Sequence, residues 1–280
     1  MSDEKEPRKK KHRPMPNIVS RTGGKNFLKS TIVPMIPDHE TYVELFVGGG
    51  SVFFSHPQSK KEVINDLDKD IFNLYRDAKS VGDKIEGKDF SPSREKFWRL
   101  LKQKNFKTPQ ERLYRNIFVS MNSFGGSRKS YIGEKTANSY LNDPSKVSRK
   151  FPQKWQTDQF KERLKDTTIL NQDFKGVIKK YDSPTTFFYL DPPYSRADKN
   201  QNYTHTGVTI HDVYNAVKSI KGKFLISYDD VPEARKIFKD FNVIRVPTSY
   251  ASGKGGVTKK VCELLIYNYN ITKPKKKCEK

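Results

Sequence analysis

Phe187-Phe188-Tyr189-Leu190-Asp191-Pro192-Pro193-Tyr194 is the stretch that decides how the rest of the chain is read. Its first half is uncharged and rich in aromatics, as a buried strand is. Two prolines neither continue a central ladder nor sit inside a helix, so the backbone leaves the sheet there. The turn presents a carboxylate, a carbonyl and a phenol ring at the C-terminal edge of a strand. In open α/β sheets that edge is where ligands bind. Asp191 and the Pro192 carbonyl can both accept from an exocyclic amine, and Tyr194 can stack on a planar base. By itself the tetrapeptide is equally compatible with a rigid strand-ending corner.

Outward from this stretch, strands alternate with helices. Val43-Glu44-Leu45-Phe46-Val47 reads as a strand running into Gly48-Gly49-Gly50, and Val63-Ile64-Asn65 as a second ending at Asp66. A helical pattern follows, with Ile71, Leu74, Tyr75 and Ala78 on one face. Thr168-Ile169-Leu170 is a third strand. Residues 187–190, 224–228, 243–246 and 261–267 supply the rest, with helices over 209–220 and 231–240. The alternation predicts an α/β fold with a largely parallel sheet. The last two strands flank only a glycine-rich loop and are expected to form an antiparallel hairpin at the sheet edge.

Residues 81–160 break the rhythm. They are basic and aromatic, with short helices predicted near 93–104 and 109–119, and read as an inserted recognition subdomain. This divides the chain into a disordered basic arm (1–16), a ligand-binding domain in two pieces (17–80 and 161–270), the insert (81–160) and a basic tail (271–280). The arm centres on Arg8-Lys9-Lys10-Lys11-His12-Arg13 and reads equally as a nuclear address, a DNA-grazing tail or a solvated terminus.

Across 280 residues, 54 Lys and Arg against 32 Asp and Glu leave a formal charge of +22, which favours a polyanionic partner, nucleic acid first. The 34% hydrophobic content is low, but the lysines concentrate at the ends and in loops, so a core is still available. Two cysteines, Cys262 and Cys278, lack metal-ligand spacing and are expected to be reduced in an intracellular setting. The expected location is the cytoplasm, or a host-cell nucleus or viral replication site. No apolar run spans a membrane and no secretory signal follows the basic cluster. The five histidines form no i, i+4 pair, and no metal site is expected.

The triple glycine brings backbone close to a ligand. It is not the G-x-G-x-x-G dinucleotide pattern, and Gly23-Gly24-Lys25 is too short for a phosphate-binding loop. Asp66, at the end of the next strand, suits two ribose hydroxyls such as those of NAD or S-adenosylmethionine. Its alternative role is a helix N-cap.

Taken in order, Thr22-Gly23-Gly24-Lys25, residues 42–54, Asn65-Asp66, Asp173-Phe174, Asp191-Pro192-Pro193-Tyr194, Leu225-Ile226-Ser227 and Cys262-Glu263-Leu264-Leu265-Ile266 resemble the Dam-type (D12 class) DNA adenine-N6 methyltransferases. The resemblance covers roughly residues 17–270. It implies a Rossmann-like sheet that binds S-adenosylmethionine, with helices on both faces and a mainly helical target-recognition insert. It also implies double-stranded DNA as partner and flipping of the target base.

Position by position, Lys25 and the turn at Phe46, Gly48 and Gly50 would hold the methionine end of the cofactor. Asp66 would take the ribose, and Asp173 with Phe174 the adenine. Asp191, Pro192 and Tyr194 would grip the target base. Arg21 and Leu45 depart from the family, which often has an aromatic and a proline there. The DNA contacts are assigned to Asn122, Arg128, Lys129, Lys254 and Lys259. The rival readings are cytosine-N4 methylation, RNA adenine methylation and a DNA-binding protein without catalysis. The biological role stays open among restriction-modification, repair marking and viral self-protection.

Overall fold

The computed structural model describes residues 15–19, 21, 23–85, 88–123, 126, 128–132, 154–194, 207–251, 258–271 and 278. All but the last two residues of the basic arm, most of the tail and Lys254 lie outside the described residues.

Seven strands form one sheet: β1 (Thr41–Glu44), β2 (Lys61–Asn65), β3 (Thr167–Leu170), β4 (Thr186–Leu190), β5 (Lys223–Asp229), β6 (Asn242–Ala251) and β7 (Thr258–Tyr267). Their order is β3-β2-β1-β4-β5-β7-β6. The first five run parallel, while β7 pairs antiparallel with both β5 and β6. This is the parallel sheet with a C-terminal hairpin expected from the alternation. The hairpin is inserted next to β5, and β6, not β7, forms the outer edge.

Side-chain alternation explains why helices cover both faces. From β4, Phe187 and Tyr189 enter one core cluster and Phe188 and Leu190 the other. The second face is closed by α6 (Phe174–Tyr181), α7 (Ile210–Val217) and α8 (Pro232–Ile237), which contribute Val177, Val213 and Ala234. The first face receives α2 (Lys69–Val81), through Ile71, Leu74, Tyr75 and Ala78.

The insert builds on that same face. Helices α3 (Arg94–Lys102) and α4 (Pro109–Met121) carry Phe97, Leu113 and Phe118 into the cluster shared with α2. Both helices open with ordinary caps: Ser93 accepts from the Lys96 amide, and Thr108, before Pro109, accepts from the Glu111 amide. A one-turn helix α1 (Lys29–Ile32) precedes β1, and α5 (Lys154–Leu164) returns the chain to β3.

Two local expectations change. The two cysteines, expected to be reduced, are joined as a disulfide, Cys262–Cys278. The Cys278 N–H also donates to the Arg245 carbonyl of β6 (3.1 Å), a contact that sequence spacing does not reveal. The cap of α2 is Asp68, not Asp66: its side chain accepts from the Asp70 amide.

Among the described residues, no helix is long and apolar enough to cross a membrane. None hold a cluster of three or more metal-ligating side chains.

Helix α5 is tied to β2 by a buried ion pair. The Arg163 guanidinium donates to both carboxylate oxygens of Glu62 and to the Phe53 carbonyl, and lies over the Phe53 ring. Both residues are almost fully buried, so removing one partner strands a charge. Glu62→Ala is therefore expected to cost about 3–5 kcal/mol in denaturant unfolding. A loss below ~1 kcal/mol would show that the pair is dispensable.

A candidate active site at the C-terminal ends of β1 and β4

Strand β1 pairs with β2 on one side and β4 on the other, so the sheet's order reverses between β1 and β4. Ligands of open α/β sheets bind at such a switch point. A cleft opens there, lined by Arg21, the Gly23–Lys25 segment, residues 44–52, Asp66, Asp68, Asp173, Phe174, Asp191 and Pro193. The predicted cofactor residues Lys25, Phe46, Gly48, Gly50, Asp66, Asp173 and Phe174 all line this one cleft.

One wall is the glycine turn after β1, where Gly48 and Gly50 have φ of +48° and +74°. At Gly50 both conformation and space demand glycine. An added Cβ would lie 2.7 Å from the Tyr75 hydroxyl and 2.9 Å from the Phe54 ring. The turn is braced from α2 and β2: Tyr75 donates to the Gly48 carbonyl (2.9 Å), and the Gly48 N–H donates to Asp66 (2.9 Å). The other Asp66 oxygen accepts from the Asp68 N–H (2.9 Å). Burial raises the Asp66 carboxyl above its ordinary range despite these bonds. Next to it, burial opposes ionisation of Asp68, but the Arg21 guanidinium at 2.9 Å and the Asp70 amide outweigh it and hold that carboxyl low. Arg21 therefore sits in the cleft as the partner of an acid.

At the end of β3, Asp173 caps α6 by accepting from the Lys175 amide (2.9 Å), and Phe174 packs 5.2 Å from the Phe46 ring. Two aromatic rings thus border the cleft, one at the start of the glycine turn and one at the start of α6. Asn65 joins this end to the sheet. Its amide donates to the Leu45 and Gln172 carbonyls, both at 3.0 Å, and its oxygen accepts from the Gln172 N–H (3.0 Å).

The Asp-Pro-Pro-Tyr corner follows β4. Asp191 Oδ1 meets the Lys25 ammonium (2.7 Å), the Ser227 hydroxyl (3.0 Å) and the Tyr194 hydroxyl (3.3 Å). Ser227 is in turn within 2.9 Å of the Tyr189 hydroxyl. Lys25 also donates to the Gly23 carbonyl (3.0 Å) and lies 4.7 Å from the Tyr194 ring centroid. The N-terminal segment thereby delivers one buried cation to the strand end that carries Asp191 and Tyr194. Pro192 is buried, and Asp191 and Tyr194 are partly exposed.

The resemblance left three contributing acids and hydroxyls without a role. Glu44, the last residue of β1, lines the cleft; burial, reinforced by the nearby Asp191, pushes its carboxyl up to about 8 although the Tyr42 hydroxyl donates to it (2.6 Å). Ser227 and Glu263 complete the corner from β5 and β7. Glu44 and Glu263 each stand within a motif quoted for the resemblance, and a lone acid in an otherwise apolar strand was the available signal.

The insert residues are placed differently from one another. Lys129 is exposed, whereas Asn122 is buried and donates to the Phe118 carbonyl (2.9 Å) as the C-cap of α4. Arg128 is mostly buried at φ 58°, donating to Asp70 (2.6 Å) beside Arg115. For Lys259 only the backbone, in β7, is described, and Lys254 lies outside the described residues.

Residues 22–251 match the sequence profile of the D12 class N6 adenine-specific DNA methyltransferases. The chain belongs to this family. It is an S-adenosylmethionine-dependent enzyme of adenine methylation in DNA, and the cytosine-N4 reading is set aside. It is 27% identical to the Type II methyltransferase M1.LlaDCHI of Lactococcus lactis subsp. cremoris, over 89% of this chain and 93% of that one. It is 26% identical to the Type II methyltransferase M.CviBI of Paramecium bursaria Chlorella virus NC1A, over 91% of this chain and 100% of that one. The DNA adenine methylase of Salmonella typhi is also 26% identical, over 91% and 96%.

The raised carboxyl of Glu44 has a signed consequence. Below about pH 4.5 Glu44 is protonated in folded and unfolded chains alike, and its contribution to stability is intact. As pH rises towards about 8 the unfolded chain releases its proton first, so that stability is lost across this window. Glu44→Gln should therefore gain Tm relative to the parent as pH is raised from 4.5 to 8, followed by thermal unfolding. A difference that is flat with pH would contradict the assignment.

Proposed function

We propose that this cleft is the catalytic centre of a site-specific methyltransferase acting on adenine N6 of a base turned out of duplex DNA. What carries the reading is the meeting of two strand ends. The seven residues expected to hold the cofactor line one cleft, and Asp191 stands at its rim, bonded to Lys25.

The residues present fit S-adenosylmethionine. The glycine turn lines the cleft with bare backbone, a Cβ at Gly48 would meet no protein atom within 4 Å, and a ribose diol can donate to the lone pairs Asp66 still offers. Phe46 and Phe174 put two aromatic rings at the cleft against which an adenine can pack. When bound, this cofactor supplies a methyl group already activated on a sulfonium.

The protein's own task is to prepare the amine. Adenine N6 is a poor nucleophile because its lone pair is delocalised into the ring. A carboxylate and a carbonyl accepting its two hydrogens favour a more tetrahedral nitrogen, and Asp191 with the Pro192 carbonyl are suited to this. Lys25 and Ser227 fix the Asp191 carboxylate before the base arrives. Alignment of this kind supplies much of the acceleration in group transfer. A base stacked in a duplex cannot reach the cleft and has to be extruded at a cost of a few kcal/mol. Stacking on Tyr194 offsets on the order of 1–3 kcal/mol of that.

Phosphate contacts are assigned to Lys129, Lys254 and Lys259, on the insert and the hairpin, where a net +22 chain gains affinity through charge neutralisation. Asn122, buried, and Arg128, partly buried and bonded to Asp70, serve by holding the segment that presents Lys129. Their hydrogen bonds to Phe118 and Asp70 would have to break before either met DNA directly.

The test is methyl transfer from labelled S-adenosylmethionine to unmethylated duplex DNA, followed by nucleoside analysis. N6-methyladenine is the expected product, and single-stranded DNA or RNA should be a poorer substrate. Asp191→Ala should reduce transfer by about 100-fold or more, with cofactor affinity within a few-fold of the parent. Equal loss of both would refute the role given to Asp191.

Asp66→Ala should instead weaken cofactor binding by roughly tenfold to a hundredfold, measured by calorimetry. Unchanged affinity would remove Asp66 from the site.

A further inference from the structure

Glu263 is a buried acid to which the proposed chemistry gives no task. It lies in the middle of β7, opposite Asp229 of β5 and Val246 of β6, and is 1% exposed. Strand alternation puts it on the face of the sheet that carries Leu265 and Tyr189, the face from which Lys25 approaches the corner. A carboxylate is held in such a place only with partners of opposite charge or with hydrogen-bond donors. The Lys25 ammonium is 3.9 Å away, and the Tyr194 hydroxyl donates to Glu263 Oε2 at 2.9 Å.

The Tyr194 hydroxyl has one proton and two carboxylates within reach: Glu263 Oε2 at 2.9 Å and Asp191 Oδ1 at 3.3 Å. It can donate to only one of them. The shorter contact takes the proton, while Asp191 Oδ1 is served by Lys25 and Ser227. The ring is held at further points by Lys25, 4.7 Å from its centroid, and by the edge of Tyr228 at 5.2 Å. Ring contacts alone allow rotation and tilt, and a hydrogen bond at the para position removes that freedom.

We propose that Glu263 is a positioning residue for base capture: it takes the phenolic proton of Tyr194, fixes the ring on which the extruded base stacks, and leaves Asp191 to the amine. The inference rests on the function proposed above, and it adds a side chain from the C-terminal hairpin to the Asp-Pro-Pro-Tyr corner. It also gives the antiparallel strand β7 a part in the reaction.

The test is a double-mutant cycle on Glu263→Ala and Tyr194→Phe in the full-length enzyme. It is read by single-turnover methyl transfer and by the fluorescence of 2-aminopurine placed at the target position of a duplex. Each single variant is expected to lose roughly tenfold to a hundredfold in transfer, the worth of a hydrogen bond to a charged group. Each should also change the 2-aminopurine signal of the complex while leaving cofactor affinity unchanged. In the Tyr194→Phe background the second change should cost almost nothing further. Glu263→Gln, which keeps an acceptor oxygen, should recover most of the activity.

Additive losses, full activity of Tyr194→Phe, or loss of cofactor affinity in step with transfer would each overturn the proposal. If Glu263→Ala does not fold, Tyr194→Phe alone decides, since it removes the same hydrogen bond. Absence of transfer by the parent enzyme would refute the underlying function. Transfer by the parent with an additive cycle would refute only the part given to Glu263.

Discussion

The parallel pairing of β1 with β4 is the constraint on which the rest of the structure depends. Thr41 to Glu44 lie in register with Thr186 to Tyr189, so both strands end at the same level of the sheet. Whatever follows them must meet. A glycine turn follows one and an Asp-Pro-Pro-Tyr corner follows the other, and the proposed site for two substrates is the space between.

Electrostatics then sort the two halves. On the β1 side, Glu44 and Asp66 are held by burial above their ordinary range, and backbone N–H groups shape the turn. On the β4 side, one buried cation, Lys25, stands among Asp191, Glu263 and the Tyr194 ring. Such a cluster carries a heavy desolvation cost and returns it only while complete. In the proposed reaction its worth is fixed orientation, which amine activation needs, more than stability. The insert is attached to the same frame through Asp70, at the start of α2, which binds Arg115 and Arg128. The helix that leads from Asp66 and Asp68 therefore also anchors the part of the chain expected to face DNA.

Much of this was legible in the sequence because strong local signals coincided. Each of the seven strands begins or ends within two residues of a stretch read from periodicity, and the helices read near 93–104 and 109–119 form as Arg94–Lys102 and Pro109–Met121. The order of the glycine, Asn-Asp and Asp-Pro-Pro-Tyr motifs named the family that the comparison found. What local reasoning missed depended on long-range return of the chain. Helix α6 is short and follows its cap immediately, and α5 has few apolar positions, so neither stands out from loop. The disulfide needed the path of the tail. Glu263 and Ser227 stood within quoted motifs, but their place beside Asp191 and Tyr194 followed only from the pairing of β5 with β7. The pairing of Arg128 with Asp70, 58 residues away in sequence, was likewise beyond local reading.

The most direct measurement of the central claim is a crystal structure of the enzyme with a cofactor analogue and a duplex containing its target site. The account expects the target adenine outside the duplex, its N6 within hydrogen-bond distance of the Asp191 carboxylate and its ring against Tyr194, between the ends of β4 and β1. An adenine still stacked in the helix, or one bound with N6 directed away from Asp191, would contradict it.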